Sequence, residues 1–148
     1  MEFVDLRKSN LVEVASFIEA FGCWASTQPD IEGVALVGSH ARDAANEESD
    51  VDLMILTTEV AKYFQNQSWT LQFGEVGGCK VESWGRVESL RIFYRGRMEV
   101  EYNFSIPDWA GIPFDGGTYL VVHDGMKIIY DPQGILKALQ QEISSSGN

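Results

Sequence analysis

The stretch from Val37 to Leu56, VGSHARDAANEESDVDLMIL, links two apolar segments through a glycine, a serine and a pair of aspartates. Gly38 and Ser39 close the run GVALV, and ten residues later Asp50 and Asp52 take alternate positions at the start of DVDLMIL. Side chains two apart on a strand point to the same face. Two carboxylates held that close repel unless something positive lies between them. The pair predicts a cationic partner.

A second acidic strand follows. In RMEVEYNF, residues 97–104, Met98, Val100, Tyr102 and Phe104 share one face, and Glu99, Glu101 and Asn103 share the other. If this strand neighbours DVDLMIL, three or four carboxylates converge on one open side of the sheet, a costly arrangement without a cation. Hard oxygen ligands on rigid strands, with coordination left for water and phosphates, suit Mg²⁺. Two such ions roughly 3.5–4 Å apart can hold the attacking and leaving oxygens of a displacement at phosphorus. Gly38-Ser39 fits the same chemistry, because glycine lets the backbone approach a phosphate and the N–H groups opening the next helix bind anions. Arg42, one turn further on, is placed to reach the same phosphates. Glu99 and Glu101 share a face, so alternation does not choose between them; Glu101 sits mid-strand, where packing of Val100 and Tyr102 would hold its backbone rigid.

Gly38-Ser39, the spacer, Asp50-Val51-Asp52-Leu53 and the later acidic strand closely resemble the minimal nucleotidyltransferases of the DNA polymerase β-like superfamily. Within it, GSHAR…SDVDL is most similar to the small bacterial and antibiotic-modifying enzymes, and DGMKIIYDP (124–132) also resembles bacterial members. The resemblance implies an α+β fold with a nucleotidyltransferase-like mixed β-sheet flanked by helices. It implies that Gly38, Ser39 and Arg42 bind the triphosphate. Asp50, Asp52 and Glu101 would be the catalytic and metal-ligating set, holding two Mg²⁺ ions that Mn²⁺ can replace. The implied reaction moves AMP from ATP to a hydroxyl of a small molecule such as an aminoglycoside, releasing pyrophosphate. Two features depart from the pattern: Asp43 stands where a glycine is usual, and no C-terminal helical domain follows. A homodimer or a helical partner protein is therefore expected to supply the second wall of the cleft. The alternative is a protein-modifying or non-catalytic component of a toxin–antitoxin pair. Asp-x-Asp also holds metal–diphosphate in many glycosyltransferases, but those chains are generally longer and lack the Gly-Ser turn at this spacing.

The whole chain bounds these readings. Its 148 residues suit one domain with a single core. The charge of −11 argues against a long nucleic acid as partner, since a phosphate backbone needs a cationic track, and favours a cationic small molecule or a basic patch. Arg86, Arg91, Arg95 and Arg97 are a local exception, read either as a solvated hairpin edge or as anion ligands. No apolar run reaches the roughly 18 residues of a membrane span. MEFVDLRKSN lacks a secretory pattern, so a cytoplasmic location is expected. Cys23 and Cys79, the two cysteines, are expected to be buried or half-buried free thiols. His40 and His123 are expected to be neighbours of the site, and Trp69, Trp84 and Trp109 core or rim residues.

Element by element, residues 10–27 read as a helix capped by Asn10 and ended by Gln28-Pro29. GVALVG is a buried strand, SHARDAAN a brief helix and DVDLMIL the second strand. Thr57 or Thr58 caps a helix to about Asn66. TLQFGEV, KVESWGRV, SLRIFY and RMEVEYNF read as strands, with a hairpin turn at RGR. AGIPFDGGT reads as a loop, and YLVVHDGMKIIYD as one or two short apolar segments. Asp131-Pro132 opens a last helix to Ile143, with a frayed tail over 144–148.

Overall fold

Alternation of apolar residues in the central segments builds a sheet with two unlike faces. The computed structural model describes residues 6–42, 50–96 and 98–146. Its strands are β1 (Ile31–Val37), β2 (Val51–Thr57), β3 (Val76–Trp84), β4 (Val87–Tyr94), β5 (Glu99–Ser105) and β6 (Met126–Tyr130). They form one sheet in the order β3-β4-β5-β2-β1-β6. Only β2 and β5 run parallel, with Asp52 opposite Glu101; the remaining pairs are antiparallel. The expected mixed sheet flanked by helices is what forms.

The first face carries Leu53, Ile55, Leu90, Ile92, Tyr102 and Phe104, all buried, under helix α1 (Leu6–Ser26). Phe17, Phe21 and Trp24 of α1 meet Trp69, Phe73 and Tyr102 in a continuous aromatic cluster. Burying each such ring is worth roughly 1.5–3 kcal/mol. On the second face α3 (Gly116–Asp124) and α4 (Ile135–Ser146) pack Val122, Leu136, Leu139 and Ile143 onto Ala35, Val37, Met54 and Leu56. On the same face Glu99 and Glu101 of β5 and Arg91 of β4 stay half-exposed, and it is here that the carboxylates stand. Among the described residues no helix is long and apolar enough to cross a membrane.

Several sequence expectations are corrected. Asn10 does not cap α1, because Leu6 to Ser9 are already helical; nothing in Leu-Arg-Lys-Ser breaks a helix. TLQFGEV is not a strand: Ser68–Phe73 form a 3-10 turn, and β3 starts at Val76. Tertiary packing decides this, since Phe73 must reach Phe17 and Phe21, each 5.5 Å away. Gly74 then leads the chain into β3 at φ +155°, where a Cβ would come within 2.9 Å of the Tyr94 ring. Of SHARDAAN, Gly38–His40 form a 3-10 turn and the part from Asp43 onward lies outside the described residues, as does Arg97. The AGIPFDGGT loop ends in helix, capped by Asp115, which accepts from the Thr118 N–H. The expected tail at Ser144–Ser146 continues α4, because buried Ile143 anchors its last turn; 147–148 lie outside the described residues. Cys23 and Cys79 are exposed, not buried.

One buried polar network ties the far end of the sheet. Asp30, just before β1, accepts from Thr57 Oγ1 at 2.6 Å, Tyr63 OH at 2.5 Å and Lys62 Nζ at 2.8 Å. Lys62 and Tyr63 belong to α2 (Val60–Gln65), and Thr57 Oγ1 also accepts the Glu59 N–H that opens it. Burial opposes the Asp30 charge, but the bonds from Lys62, Thr57 and Tyr63 outweigh it and hold the carboxyl at about 2. Its pKa is depressed, so this stabilisation is complete above about pH 4 and is lost as pH falls toward about 2. Asp30→Ala is expected to cost about 2–4 kcal/mol at neutral pH, since it strands two buried hydroxyls and removes a paired charge. Urea denaturation at pH 7 and pH 3 measures this: the wild-type advantage shrinks at pH 3, and equal stability of both proteins at pH 7 would refute it.

Candidate active site

The end of β1 and the start of β2 meet in register, Val37 opposite Asp52. Beyond Val37 the chain turns sharply at Gly38, whose φ is +73°. A Cβ there would collide with Asp52 Oδ2, so only glycine fits both the backbone and the neighbour. The Ala41 and Arg42 N–H groups bond back to the Gly38 carbonyl at 3.1 and 3.3 Å, which fixes the turn beside the carboxylate. Gly38→Ala is expected to displace the Asp52 side chain and to weaken triphosphate binding by at least about tenfold, as strain of 1–3 kcal/mol allows. ATP titration measures it; unchanged affinity would remove Gly38 from the site.

On β5, Glu101 faces Asp52 across the parallel pair, where the Asp52 carboxyl donates to it when protonated. Burial first, then the bond and charge of Glu101, then the charge of Asp50, push the Asp52 carboxyl up to about 7, against the pull of Arg91. Glu99 stands beside Asp50. A hydrogen bond that the protonated Glu99 carboxyl donates to Asp50, then burial, raise the Glu99 pKa.

The cation that the structure places beside these carboxylates is Arg91. It lies on β4 directly opposite Glu101. Its Nη1 donates to Asp50 Oδ2 and its Nη2 to Glu101 Oε2, both at 2.8 Å. Glu99 lies 3.5 Å from Nη1 and Glu82 3.8 Å from Nε. Parity was the available signal: Leu90 and Ile92 point into the core, so Arg91 must point to the carboxylate face. The register that sets it opposite Glu101 is not readable from one sequence. Among the described residues no three His, Cys, Asp or Glu groups form a ready-made cation site, and Arg91 engages two of the four carboxylates directly.

A cavity of about 510 Å³ opens over this corner, in the size range of small-molecule sites. Gly38, Arg42, Asp52 and Glu101 line it at one end, and Trp84, Arg86, Trp109 and Asp115 contribute elsewhere. Asp50 and Ser39 are not among its lining residues; Asp50 is joined to it through Arg91, and Ser39 lies in the adjoining turn. Asn103 lines it too, held by Ser89 and by donation to the Leu53 carbonyl at 3.0 Å. Sequence reading placed Arg91 only among the basic residues of 86–97, as hairpin edge or anion ligand, and missed its hold on the carboxylates, Asp115 and this Asn103–Ser89 pair. Arg86 pairs with Asp115 at the cavity, whereas Arg95 lies at the exposed hairpin turn near Glu75. Trp109 is buried and Trp84 is exposed at the rim, while Trp69 belongs to the core cluster. His40 is buried in the turn and His123 stacks on Tyr119; neither lines the cavity.

Residues 13–88 match the family model described as streptomycin adenylyltransferase, a match over more than half of the chain. The chain belongs to that family. As a member of the streptomycin adenylyltransferase family it is a nucleotidyltransferase domain, and the matched span holds Gly38, Ser39, Arg42, Asp50 and Asp52 but ends before Arg91 and Glu101. No curated protein matches it in sequence. Among solved structures, an aminoglycoside 6-adenyltransferase from Bacillus subtilis is similar at TM-score 0.51 and 15% identity, over 64% of this chain and 35% of that one. Cid1 bound to the UTP analogue UMPNPP gives TM-score 0.47 and 15% identity over 82% and 41% of the two chains. The first likeness shows the fold. The family member described here spans about a third of that adenyltransferase's length.

Proposed function

We propose that this domain transfers a nucleoside monophosphate, AMP from ATP, to a hydroxyl of a small cationic acceptor of the aminoglycoside kind, releasing pyrophosphate. The observation that carries the reading is the register of Asp52 and Glu101 beside the Gly38 turn, at the wall of one cavity. The donor set fits a hard divalent cation, since it offers carboxylate oxygens from rigid strands and its half-buried member, Asp52, is pushed up to about 7 by burial and then by negative neighbours, whose repulsion a cation would offset. Asp50, Asp52 and Glu101 would hold Mg²⁺, or Mn²⁺ in its place. When bound, the metal supplies Lewis-acid stabilisation of the phosphoryl oxygens.

The chain's own groups then have distinct tasks. The backbone at Gly38 and Ser39 and the Arg42 guanidinium bind the triphosphate. The acceptor oxygen attacks the α-phosphorus, its bond forms as the bond to the β-phosphate oxygen breaks, and pyrophosphate leaves. Glu101 is placed to take the hydroxyl proton. Four carboxylates, Asp52, Glu101, Asp115 and Asp124, against Arg42 and Arg86 make the cavity lining net negative, which favours a cationic acceptor.

Labelled NTPs incubated with Mg²⁺, an aminoglycoside panel and cell lysate test the reading. Label transferred from ATP to a drug supports it. Label found on a protein alone would favour a protein-modifying enzyme, and ATP affinity unchanged in EDTA would count against the metal assignment.

A further inference from the structure

We propose that Arg91 is a resident counter-cation which competes with the divalent metal for Asp50 and Glu101, so that this side chain sets how tightly the site takes its ion. The proposal rests on the assignment of Asp50, Asp52 and Glu101 as cation ligands above.

The geometry is that of a clamp. The guanidinium fork spans two strands, with one Nη on Asp50 of the residues leading into β2 and the other on Glu101 of β5, each at 2.8 Å. Bidentate use of a planar fork fixes both carboxylates in direction as well as in charge. Glu99 and Glu82 lie within 4 Å of the same guanidinium, so one positive charge serves four negative ones. The Arg91 side chain is 22% exposed and Glu101 18%, so water screens the contact only in part. The carboxylates that accept from Arg91 are two of the three assigned to the cation, and a fixed charge beside them opposes a second cation. Binding the metal therefore competes with the hold of Arg91 on Asp50 and Glu101. Released, a guanidinium is a donor suited to phosphate oxygens, and the cluster keeps its excess of negative charge for the ion.

Mn²⁺ titration followed by electron paramagnetic resonance, without nucleotide, tests this on wild type, Arg91→Met and Arg91→Lys. Methionine keeps the apolar stem and removes the charge; lysine keeps the charge and removes the fork. Arg91→Met is expected to bind Mn²⁺ about tenfold tighter or more, the effect of removing one unit charge a few ångströms away, while losing thermal stability in EDTA. Arg91→Lys should stay near wild type. Equal or weaker Mn²⁺ binding by a folded Arg91→Met overturns the competition and leaves the metal assignment standing. Absence of Mn²⁺ binding in every protein overturns both. Should Arg91→Met not fold, the Arg91 Nε–H resonance of the wild type is the second readout, assigned with Arg91→Lys. It is expected to shift and to exchange faster with water as Mg²⁺ saturates, and an unmoved signal overturns the proposal.

Discussion

Asp52→Asn is expected to abolish nucleotidyl transfer, by at least about 10²–10³-fold, the scale of losing one electrostatic contact with the transition state. The same change should leave the protein slightly more stable than the wild type at pH 5 and clearly more stable at pH 8. The reason lies in the neighbours. Asp52 is half-buried beside Glu101 and near Asp50, and its carboxyl is pushed up from 3.8 to about 7. Between those values the folded protein holds a proton that the unfolded chain has released. Stability in EDTA therefore declines as pH rises from about 4 to about 7 and is flat above. Asparagine has no proton to lose and removes that part of the slope. The raised Glu99 keeps a remainder of the same sign. Urea midpoints at pH 5 and pH 8, with pyrophosphate release measured alongside, decide it. A variant less stable than wild type at pH 8 would make Asp52 a structural residue.

The two aspartates that look equivalent in sequence are not equivalent in the fold. From DVD alone both carry the same repulsion, and neither has a visible counter-ion. In the structure Arg91 holds Asp50, 41 positions away in the chain, while Asp52 is left to Glu101. Asp50→Asn therefore weakens an ion pair that Asp52→Asn does not touch. The strand–turn–strand core, the Asp131 cap (which accepts from the Leu136 and Lys137 N–H groups) and the two faces of β5 were legible, because period and capping are local. Register is not local. Nothing in SLRIFY or RMEVEYNF says that Arg91 meets Glu101 or that Asp115 meets Arg86, since each pairing depends on where the hairpin turns and how α3 docks. The expected strand at 70–76 failed for a related reason. Its alternation suits a strand, but the aromatic cluster beneath α1 rewards a 3-10 turn that drives Trp69 and Phe73 inward.

Glu101→Gln is expected to lower turnover by about 10²-fold, the lower end of what general-base catalysis contributes, with ATP affinity largely kept. Glu99→Gln should be mild and act mainly on acceptor affinity. Alternation along β5 leaves the two level, but pairing across the sheet separates them. Glu101 is opposite Asp52, lines the cavity and is 18% exposed, whereas Glu99 lies beside Asp50, does not line the cavity and is 27% exposed. Glutamine is the informative change because its carbonyl still accepts from Arg91, so the clamp survives while the group can no longer take a proton. Loss of turnover in a stable Glu101→Gln would then report chemistry rather than folding. The kcat and KM of both variants, for ATP and for an acceptor that becomes labelled, separate the roles. A dead Glu99→Gln beside an active Glu101→Gln would move the third carboxylate one pair along the strand, to the side of Asp50.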